Sequence, residues 1–337
     1  MEKLGRGIVA TRTATSKVLI SWRLLGTEAQ DIGFNIYRSA NGGSLIKLNN
    51  AVLTAGTNYE DTSPDLTVPN SYTVKPVING SEEAAEGSYT LPANTAINAY
   101  YKVPIRKTDG YVVGHVYPGD IDGDGEYDFV LHRMPDPNVS GSQNLPGLVE
   151  AYKRDGTLLW TINMGFNSLN RNNVIPGSSA LECGHGDNWT VYDINNDGKA
   201  EVILRTSNGV LFPDNTTVSD PDNSRQYISI IKSQTGEEIS RTEINNPNLN
   251  RGPLNGHMGI AYLDGINPSV ILMGANRNAD GSFNEFITAW NWTGSTLQTQ
   301  WVFDLAGKKI ASGHQIKIFD IDGDGKDEIF PQAYAVD

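Results

Sequence analysis

Short runs in which apolar and polar residues alternate, separated by turn residues, account for most of the chain. Near the N-terminus such runs cover residues 18–23, 34–38, 58–61 and 71–77, and they are rich in Val, Ile, Tyr, Phe and Trp. Gly, Asn, Asp, Ser and Pro lie between the runs, and no long helical period is found. Alternation over four to eight residues, bounded by turn residues, predicts β-strands. We therefore predict an all-β protein.

The first group of strands predicts a small β-sandwich. A tryptophan on an early strand (Trp22) and a tyrosine that enters a late one (Tyr72) are typical of immunoglobulin-like and fibronectin type III sandwiches. We interpret both residues as core and assign the module no chemistry. The predicted fibronectin type III-like domain covers residues 1–95.

From about residue 100 the sequence repeats. Each repeat has a Gly-His pair, a short strand, a loop and an apolar strand, and a hairpin with a tight Gly turn follows. The Gly-His pairs begin at residues 114, 184, 256 and 313, and the copy at 256 lacks an acidic loop. About four strands per repeat, at spacings of 70, 72 and 57 residues, predict β-propeller blades. We predict an incomplete propeller of about four blades over residues 96–337, truncated at its C-terminal end.

Three acidic loops carry oxygen-bearing side chains at positions 1, 3, 5 and 9, with Gly at position 6. Alternation turns these side chains toward one point, and the backbone carbonyl of position 7 can add another oxygen. Hard oxygen ligands in this number suit Ca²⁺. The predicted ligands are Asp120, Asp122, Asp124, Asp128 and the Glu126 carbonyl; Asp193, Asn195, Asp197, Glu201 and the Lys199 carbonyl; and Asp320, Asp322, Asp324, Glu328 and the Lys326 carbonyl.

The loops are not EF-hands. An EF-hand needs Glu at position 12, where this chain has Leu131, Leu204 and Pro331, and it needs flanking helices where strands are predicted here. The alternative is a solvated acidic turn, but four carboxylates in one short turn repel each other unless a cation lies among them. We predict several Ca²⁺ ions, as in integrin-type propeller repeats. Because such loops usually need extracellular calcium concentrations, the protein is predicted to be secreted or periplasmic.

Charge and cysteine content exclude several classes of binding partner and an internal disulfide. The formal net charge of −13 excludes a basic footprint for nucleic acid or anionic lipid, and no apolar stretch reaches the roughly 20 residues that span a bilayer. The single cysteine, Cys183, allows no internal disulfide and is interpreted as a core residue. The N-terminus has no apolar signal region, so the chain is expected to begin after signal cleavage. We expect a monomer.

The histidines and two arginines are the candidate substrate contacts. Four histidines share the Gly-His position, where a repeated structural hydrogen bond is the favoured interpretation and a central-channel ligand is the alternative. They are His115, His185, His257 and His314. His132 and Arg133 follow the first acidic loop and Arg205 the second, where they are either solvated cations or contacts for an anionic sugar. The substrate-binding candidates are His132, Arg133, His185 and Arg205.

Several stretches outside the acidic loops are too distinctive for a generic propeller. They are residues 2–7 (EKLGRG), 20–27 (ISWRLLGT), 34–38 (FNIYR), 133–135 (RMP), 150–160 (EAYKRDGTLLW), 183–187 (CGHGD) and 225–227 (RQY). Together they resemble bacterial rhamnogalacturonan lyases of polysaccharide lyase family 11 over essentially the whole chain. The resemblance implies an eight-bladed propeller behind a fibronectin-like domain, several calcium ions, and cleavage of rhamnogalacturonan I, an acidic pectic polysaccharide. It also implies that the residues for proton transfer lie mostly beyond Asp337, so none is assigned here.

The chemistry that the resemblance implies is β-elimination. The proton at C5 of galacturonate is removed by a Lys, Arg or Tyr base, the O4 substituent leaves, and an unsaturated uronate forms. A metal ion at the uronate carboxylate, with local arginines, would let an acidic protein bind an acidic sugar. Two other functions stay open. One is a non-catalytic, calcium-stabilised carbohydrate-binding or adhesion propeller of integrin-repeat type, and the other is a hydrolase with paired carboxylates.

Overall fold

The computed structural model describes residues 2–29, 31–170, 177–181, 186–187, 189–244, 254–277, 282–305, 308, 315–331 and 334–337. Within these ranges it contains β-strands, two short 3-10 helices and no α-helix, which confirms the all-β prediction. The chain groups into two compact units. One comprises residues 3–104 with 124–127, and the other comprises residues 105–123 and 128–337 with Glu2.

The first unit is a sandwich of two antiparallel sheets. One sheet has the order β1-β2-β5, and the other has the order β4-β3-β6-β7 with β8 also paired to β6. The strands are β1 (Val9–Ala14), β2 (Lys17–Ser21), β3 (Gly33–Ala40), β4 (Ile46–Lys47), β5 (Asn58–Asp61), β6 (Asn70–Ile78), β7 (Ser81–Glu82) and β8 (Ser88–Leu91). Alternation along β2 and β6 buries every second side chain, as a sheet with one solvated face requires.

The core of the sandwich forms between these sheets. Trp22 packs edge-on against Phe34 with ring centroids 5.4 Å apart, and Tyr72 is fully buried. The Tyr72 hydroxyl donates to the Asp61 carboxylate at 3.0 Å, which satisfies the one polar atom that its burial brings inside. The prediction that Trp22 and Tyr72 are core residues is confirmed.

In its described residues, the second unit contains four successive antiparallel meanders of sequential strands. We call them blades 1 to 4. Blade 1 is β9 (Tyr111–Gly119), β10 (Asp128–Pro135), β11 (Leu148–Tyr152) and β12 (Leu158–Asn163); blade 2 is β14 (Trp189–Tyr192), β15 (Glu201–Ser207), β16 (Gln226–Ile231) and β17 (Glu238–Glu243). Blade 3 is β18 (Leu254–Ala261), β19 (Ser269–Arg277), β20 (Phe283–Trp292) and β21 (Leu297–Asp304); blade 4 is described as β22 (Ile316–Phe319) and β23 (Glu328–Pro331).

Three further short elements are described in this unit. The 3-10 helices cover Ser142–Asn144 and Phe166–Leu169. Strand β13 (Gly186–Asp187) precedes blade 2 but pairs with β18 of blade 3, and it is parallel to that strand. The order of four-stranded meanders along the chain is that of a β-propeller, as predicted.

Adjacent blades share hydrophobic cores, and blades 2 and 3 each pack on two neighbours. Along β15, Val202 and Leu204 join the cluster with blade 1, whereas Ile203 joins the cluster with blade 3. Strand β19 does the same, since Leu272 packs toward blade 2 and Met273 toward blade 4. A strand covered on both faces has no polar alternation, and all seven residues of β15 are buried. Each fully buried aliphatic side chain contributes about 1.5–3 kcal/mol, so stacking neighbours stabilises every blade.

Candidate functional site

The three acidic loops occupy the same place in their blades. Each is the bend between the first and second strands of a blade, β9–β10, β14–β15 and β22–β23. A strand, not a helix, follows each loop, which agrees with the prediction that they are not EF-hands. The blade architecture therefore presents the loops as equivalent hairpin bends.

The second and third loops fold through the same hydrogen bonds. The position-1 carboxylate accepts the backbone N–H of position 6 at 2.9 Å in both loops, from Gly198 to Asp193 and from Gly325 to Asp320. Position 3 accepts the N–H of position 5, and position 5 accepts that of position 7, at 2.8–3.0 Å. The position-9 carboxylate accepts the N–H of position 2. These contacts hold alternate side chains on one side of the bend.

Among the described residues, two groups of acidic side chains lie close enough together to hold a metal ion. In the third loop, ligand atoms of Asp320, Asp322 and Glu328 all lie within 4.8 Å of one another. In the first loop the same holds for Asp120, Asp122 and Asp124. The second loop has the amide of Asn195 at position 3 and otherwise repeats the pattern. The carboxylate oxygens that converge in loops 1 and 3 are a donor set that fits Ca²⁺ and its preference for oxygen.

In the second loop, bringing carboxylates together shifts the pKa of one of them. Burial, and then the negative charge of Asp197, raise the pKa of Glu201 to about 8. Lysines offset some of this charge elsewhere: the Lys153 ammonium pairs with Asp122, and Lys326 lies 3.5 Å from the Asp324 carboxylate. The loops are thus concentrations of negative charge that a cation stabilises. Ion binding by the fifteen predicted ligands stays a prediction.

The loops also join one blade to the next. The Ala200 N–H donates to the Asp120 carbonyl at 2.7 Å, so position 8 of loop 2 meets position 1 of loop 1. At position 4 of the first loop, Gly123 (φ +83°) lies so close to the second that an added Cβ would be 3.1 Å from the Gly198 carbonyl. The contact requires a residue without a Cβ in the left-handed region.

The repeat without an acidic loop keeps its half of this contact. We call residues 262–268 the degenerate bend. The Tyr262 carbonyl accepts from the Asp327 N–H at 3.1 Å, and Gly265 (φ +75°) would place a Cβ 2.6 Å from the Gly325 carbonyl. Tyr262 and Gly265 thus correspond to Asp120 and Gly123. Blade 3 contacts blade 4 as blade 1 contacts blade 2, without carboxylate ligands of its own.

The substrate-contact candidates that the structure describes lie inside the protein. His132 is 4% exposed between Gly114 and Gly147, and burial and the neighbouring His115 lower its pKa to about 3, so the ring is neutral. Arg205 is fully buried, and it donates to the Gln226 side chain at 2.9 Å and to the Leu254 and Ala180 carbonyls at 2.8 and 2.6 Å. Their contact with substrate stays a prediction.

Arg133 belongs to a buried ionic network that sequence reasoning missed. Its Nε donates to Glu150 at 2.9 Å, and the Tyr152 hydroxyl donates to the same carboxylate at 2.8 Å. Arg106 pairs with Glu150 from the opposite side. Burial alone would raise the pKa of Glu150, but the three hydrogen-bond donors outweigh it and the pKa lies below the usual value. Glu150 and Tyr152 stand two residues apart on β11, so alternation could have placed them on one face.

The Gly-His positions are only partly described. His115 lies on β9 with its ring centroid 6.1 Å from that of His132, and His257 is buried on β18. His185, His314 and Cys183 lie outside the described residues. The favoured interpretation of these histidines as structural stays a prediction, as does the ligand role of His185. In the part of the chain that the structure describes, no helix is long and apolar enough to cross a membrane.

Comparison with known proteins gives matches along nearly the whole chain. Residues 102–337 match the family model "Rhamnogalacturonan lyase family 11, C-terminal domain", and residues 1–91 match "Rhamnogalacturonan I lyases beta-sheet domain". The chain is 32% identical to the rhamnogalacturonan endolyase YesW and 30% identical to the rhamnogalacturonan exolyase YesX, both of Bacillus subtilis (strain 168). Each alignment covers 100% of this chain and 56% of the relative, so the chain spans about half the length of these relatives.

Proposed function

The chain belongs to rhamnogalacturonan lyase family 11, and from this premise we propose that the protein is a polysaccharide lyase. Its substrate is the acidic pectic polysaccharide rhamnogalacturonan I, which it cleaves between rhamnose and galacturonate by β-elimination. The observation that carries the proposal is the family match over residues 102–337, which extends far beyond the acidic loops. A generic calcium-binding propeller would match only through the loops.

Calcium is the proposed cofactor, and the donor set fits it. Asp320, Asp322 and Glu328 would hold an ion in blade 4, and the corresponding residues of loops 1 and 2 would hold ions in blades 1 and 2. Bound calcium supplies positive charge that neutralises carboxylates, whether these belong to the protein or to a uronate. The loop carboxylates also accept backbone N–H groups and so fix the bend in which they stand. The three blade sites are therefore proposed to be structural.

The remaining proposals concern the setting of the enzyme. A calcium-dependent protein that acts on a plant polysaccharide would work outside the cytosol, so we place it in the secreted or periplasmic class. We propose a monomer with a sandwich domain over residues 1–95 and a propeller domain over residues 96–337. Neither nucleic acid nor a membrane is a proposed partner, because the chain carries a net charge of −13.

Ultraviolet absorbance tests the proposal directly. β-Elimination creates a conjugated unsaturated uronate without consuming water, so absorbance rises as rhamnogalacturonan I is cleaved in the presence of calcium. Polygalacturonate, which lacks rhamnose, is the matched control substrate and should give no rise. New reducing ends without absorbance would identify a hydrolase instead. Retained binding with neither signal would identify the non-catalytic, calcium-stabilised carbohydrate-binding propeller.

The position of cleavage within the polymer needs its own measurement. One relative is named an endolyase and the other an exolyase, so family membership alone leaves both modes open. An endolyase lowers the mean chain length of the polymer early in the reaction, whereas an exolyase releases short products at constant polymer length. Size-exclusion chromatography of the first few per cent of the reaction distinguishes them.

A further inference from the structure

A groove opens between blades 2 and 3 on the face that carries the acidic loops. It has a cavity volume of about 630 Å³, within the range of about 300–1,000 Å³ that is usual for ligand sites. Its walls come from the second acidic loop, the degenerate bend, strand β17 and the turn between β20 and β21. All of these elements belong to the propeller unit.

The groove exists because blade 3 has lost its acidic loop. Between blades 1 and 2, positions 6 and 8 of the following loop pack on position 4 and on the carbonyl of position 1. Among the described residues, no backbone hydrogen bond of this kind joins the degenerate bend to the second loop. Position 4 of the second loop is Asn196 (φ +59°). The same position is Gly123 at the junction of blades 1 and 2 and Gly265 at the junction of blades 3 and 4, which we call the closed junctions; the junction of blades 2 and 3 is the open junction. The space that a loop would fill remains open, and Asn196 lines it.

The inner wall of the groove is apolar and contains an aromatic ring. Trp292, at the end of β20, packs against the core shared by blades 2 and 3 and is only partly buried. Ile194 lines the groove from the same core, and Ile239 of β17 is 45% exposed beside it. An indole ring fixed by the core offers a rigid flat surface at little entropic cost. The face of a pyranose ring, which is covered by C–H groups, packs on such a surface.

Carboxamides supply the polar part of the wall. Four asparagines line the groove, and none of the residues that line it in the described part of the chain is charged. The Asn195 amide is held within the second loop, where it donates to Glu201 at 3.1 Å, and the other three are Asn196, Asn267 and Asn291. Two of these amides each use one polar atom in a contact within the protein. The Asn291 oxygen accepts from the Ser269 hydroxyl at 2.9 Å, and the Asn267 nitrogen donates to the Asp264 carboxylate at 2.9 Å. A carboxamide both donates and accepts, which matches hydroxyl groups that do the same.

We propose that this groove binds neutral pyranose residues of a polysaccharide. Trp292 carries the apolar face of a sugar ring, and the three asparagines bind its hydroxyl groups. The described lining has no charged side chain, so its amides match the hydroxyl groups of a neutral sugar and provide no arginine or lysine for a uronate carboxylate. The proposal does not depend on bond cleavage, so the groove would anchor neutral sugar whether or not the protein is a lyase.

Isothermal titration calorimetry of the full chain tests this site. The probes are neutral hexasaccharides (β-1,4-galactohexaose, cellohexaose and mannohexaose) and the acidic hexagalacturonate, all at fixed calcium. The variants are Trp292→Ala, Trp292→Phe and Asn291→Ala. Phe303→Ala is the matched control, because Phe303 is a 39% exposed aromatic on β21 that does not line the groove. Thermal melting checks that each variant is folded.

The proposal expects at least one neutral hexasaccharide to bind with a dissociation constant of about 1 mM or tighter. Trp292→Ala should weaken that binding at least about tenfold, Trp292→Phe and Asn291→Ala by about three- to fivefold, and Phe303→Ala not at all. Absence of binding by every neutral probe would overturn the proposal. So would equal affinity for hexagalacturonate, or binding that Trp292→Ala and Asn291→Ala both leave unchanged. Lyase activity enters none of these outcomes.

Discussion

The junction between blades 1 and 2 and the junction between blades 2 and 3 are built from the same repeat with opposite results. In the first, a following acidic loop packs on Gly123 and closes the face of the propeller. In the second, the following bend is degenerate, and a groove lined by Trp292 and four asparagines takes the place of the loop. The difference teaches that an acidic loop serves two neighbours. It gathers carboxylates for its own blade, and it supplies the packing surface for the blade before it.

Blade 3 shows that these two roles are separable. Its degenerate bend has lost the carboxylate set but still receives blade 4 through Tyr262 and Gly265. The contact to the following blade therefore needs the backbone of positions 1 to 4, not their side-chain oxygens. Calcium removal and three sets of substitutions test the two roles separately. They follow in order of expected effect, from the largest to the smallest.

Calcium removal should have the largest effect, since it acts on the carboxylate role alone. At a calcium concentration 100 times the dissociation constant, each site contributes about 2.7 kcal/mol. We therefore expect exhaustive chelation to lower the melting temperature by several degrees or more, as measured by circular dichroism. Added calcium should restore it, whereas magnesium, which prefers a small octahedral site, should restore less.

A pair of matched substitutions assigns this effect to the loop ligands. Asp322 and Asp264 stand at position 3 of the acidic and the degenerate bend, and each accepts an N–H two residues ahead, at 3.0 and 2.8 Å. Asp322→Ala should reduce the calcium-induced rise in melting temperature, whereas Asp264→Ala should leave that rise intact. Equal responses from the two variants would contradict calcium binding in blade 4.

The contact between Gly265 and the third acidic loop should have the second-largest effect on stability. Gly265→Ala forces a Cβ to within 2.6 Å of the Gly325 carbonyl at a positive φ, and we expect a loss of about 2–3 kcal/mol in the free energy of unfolding. Gly294 also has a positive φ (+92°) but nothing within 4 Å of an added Cβ. Gly294→Ala should therefore cost only the backbone strain, about 1 kcal/mol. Urea unfolding compares the two, and equal costs would mean that blade packing does not depend on this contact.

The smallest effect is expected at position 4 of the open junction. Asn196→Gly removes a side chain that faces the groove, and it should change the free energy of unfolding by less than about 0.5 kcal/mol. The reverse exchange at the closed junction, Gly123→Asn, adds a Cβ that would lie 3.1 Å from the Gly198 carbonyl, and it should cost more than 1 kcal/mol by the same measurement. A large loss from Asn196→Gly would show that the two junctions are packed alike.

The acidic loops were predictable because their information is local. Alternation at positions 1, 3, 5 and 9 is visible in nine consecutive residues, and the structure folds loops 2 and 3 through one set of hydrogen bonds. The hairpins, with Gly at the turn, were predictable for the same reason. Strand β15 was also visible as an apolar run, although a run alone does not say that Val202 and Ile203 face different neighbours.

The buried cations and the groove were not predictable, because their partners come from distant parts of the chain. Arginine is usually exposed, so the sequence predicts Arg205 to be either a solvated cation or a contact for an anionic sugar. Its burial depends on the Ala180 and Leu254 carbonyls, which no local pattern reveals. The groove is a space between two blades, and it forms only where the bends of adjacent blades differ, as they do in blades 2 and 3. The missing acidic loop of the third Gly-His repeat was the one signal in the sequence.

The short strand β13 links blades 2 and 3 through paired backbone strands. Gly186 and Asp187 precede blade 2 yet hydrogen-bond in parallel with Gly256 and His257 of blade 3. In a linear array each repeat normally detaches by breaking only its side-chain interface. Here β13 also joins blade 2 to blade 3 by backbone hydrogen bonds. Blades 2 and 3 should therefore open, and exchange their amide hydrogens, as one cooperative unit.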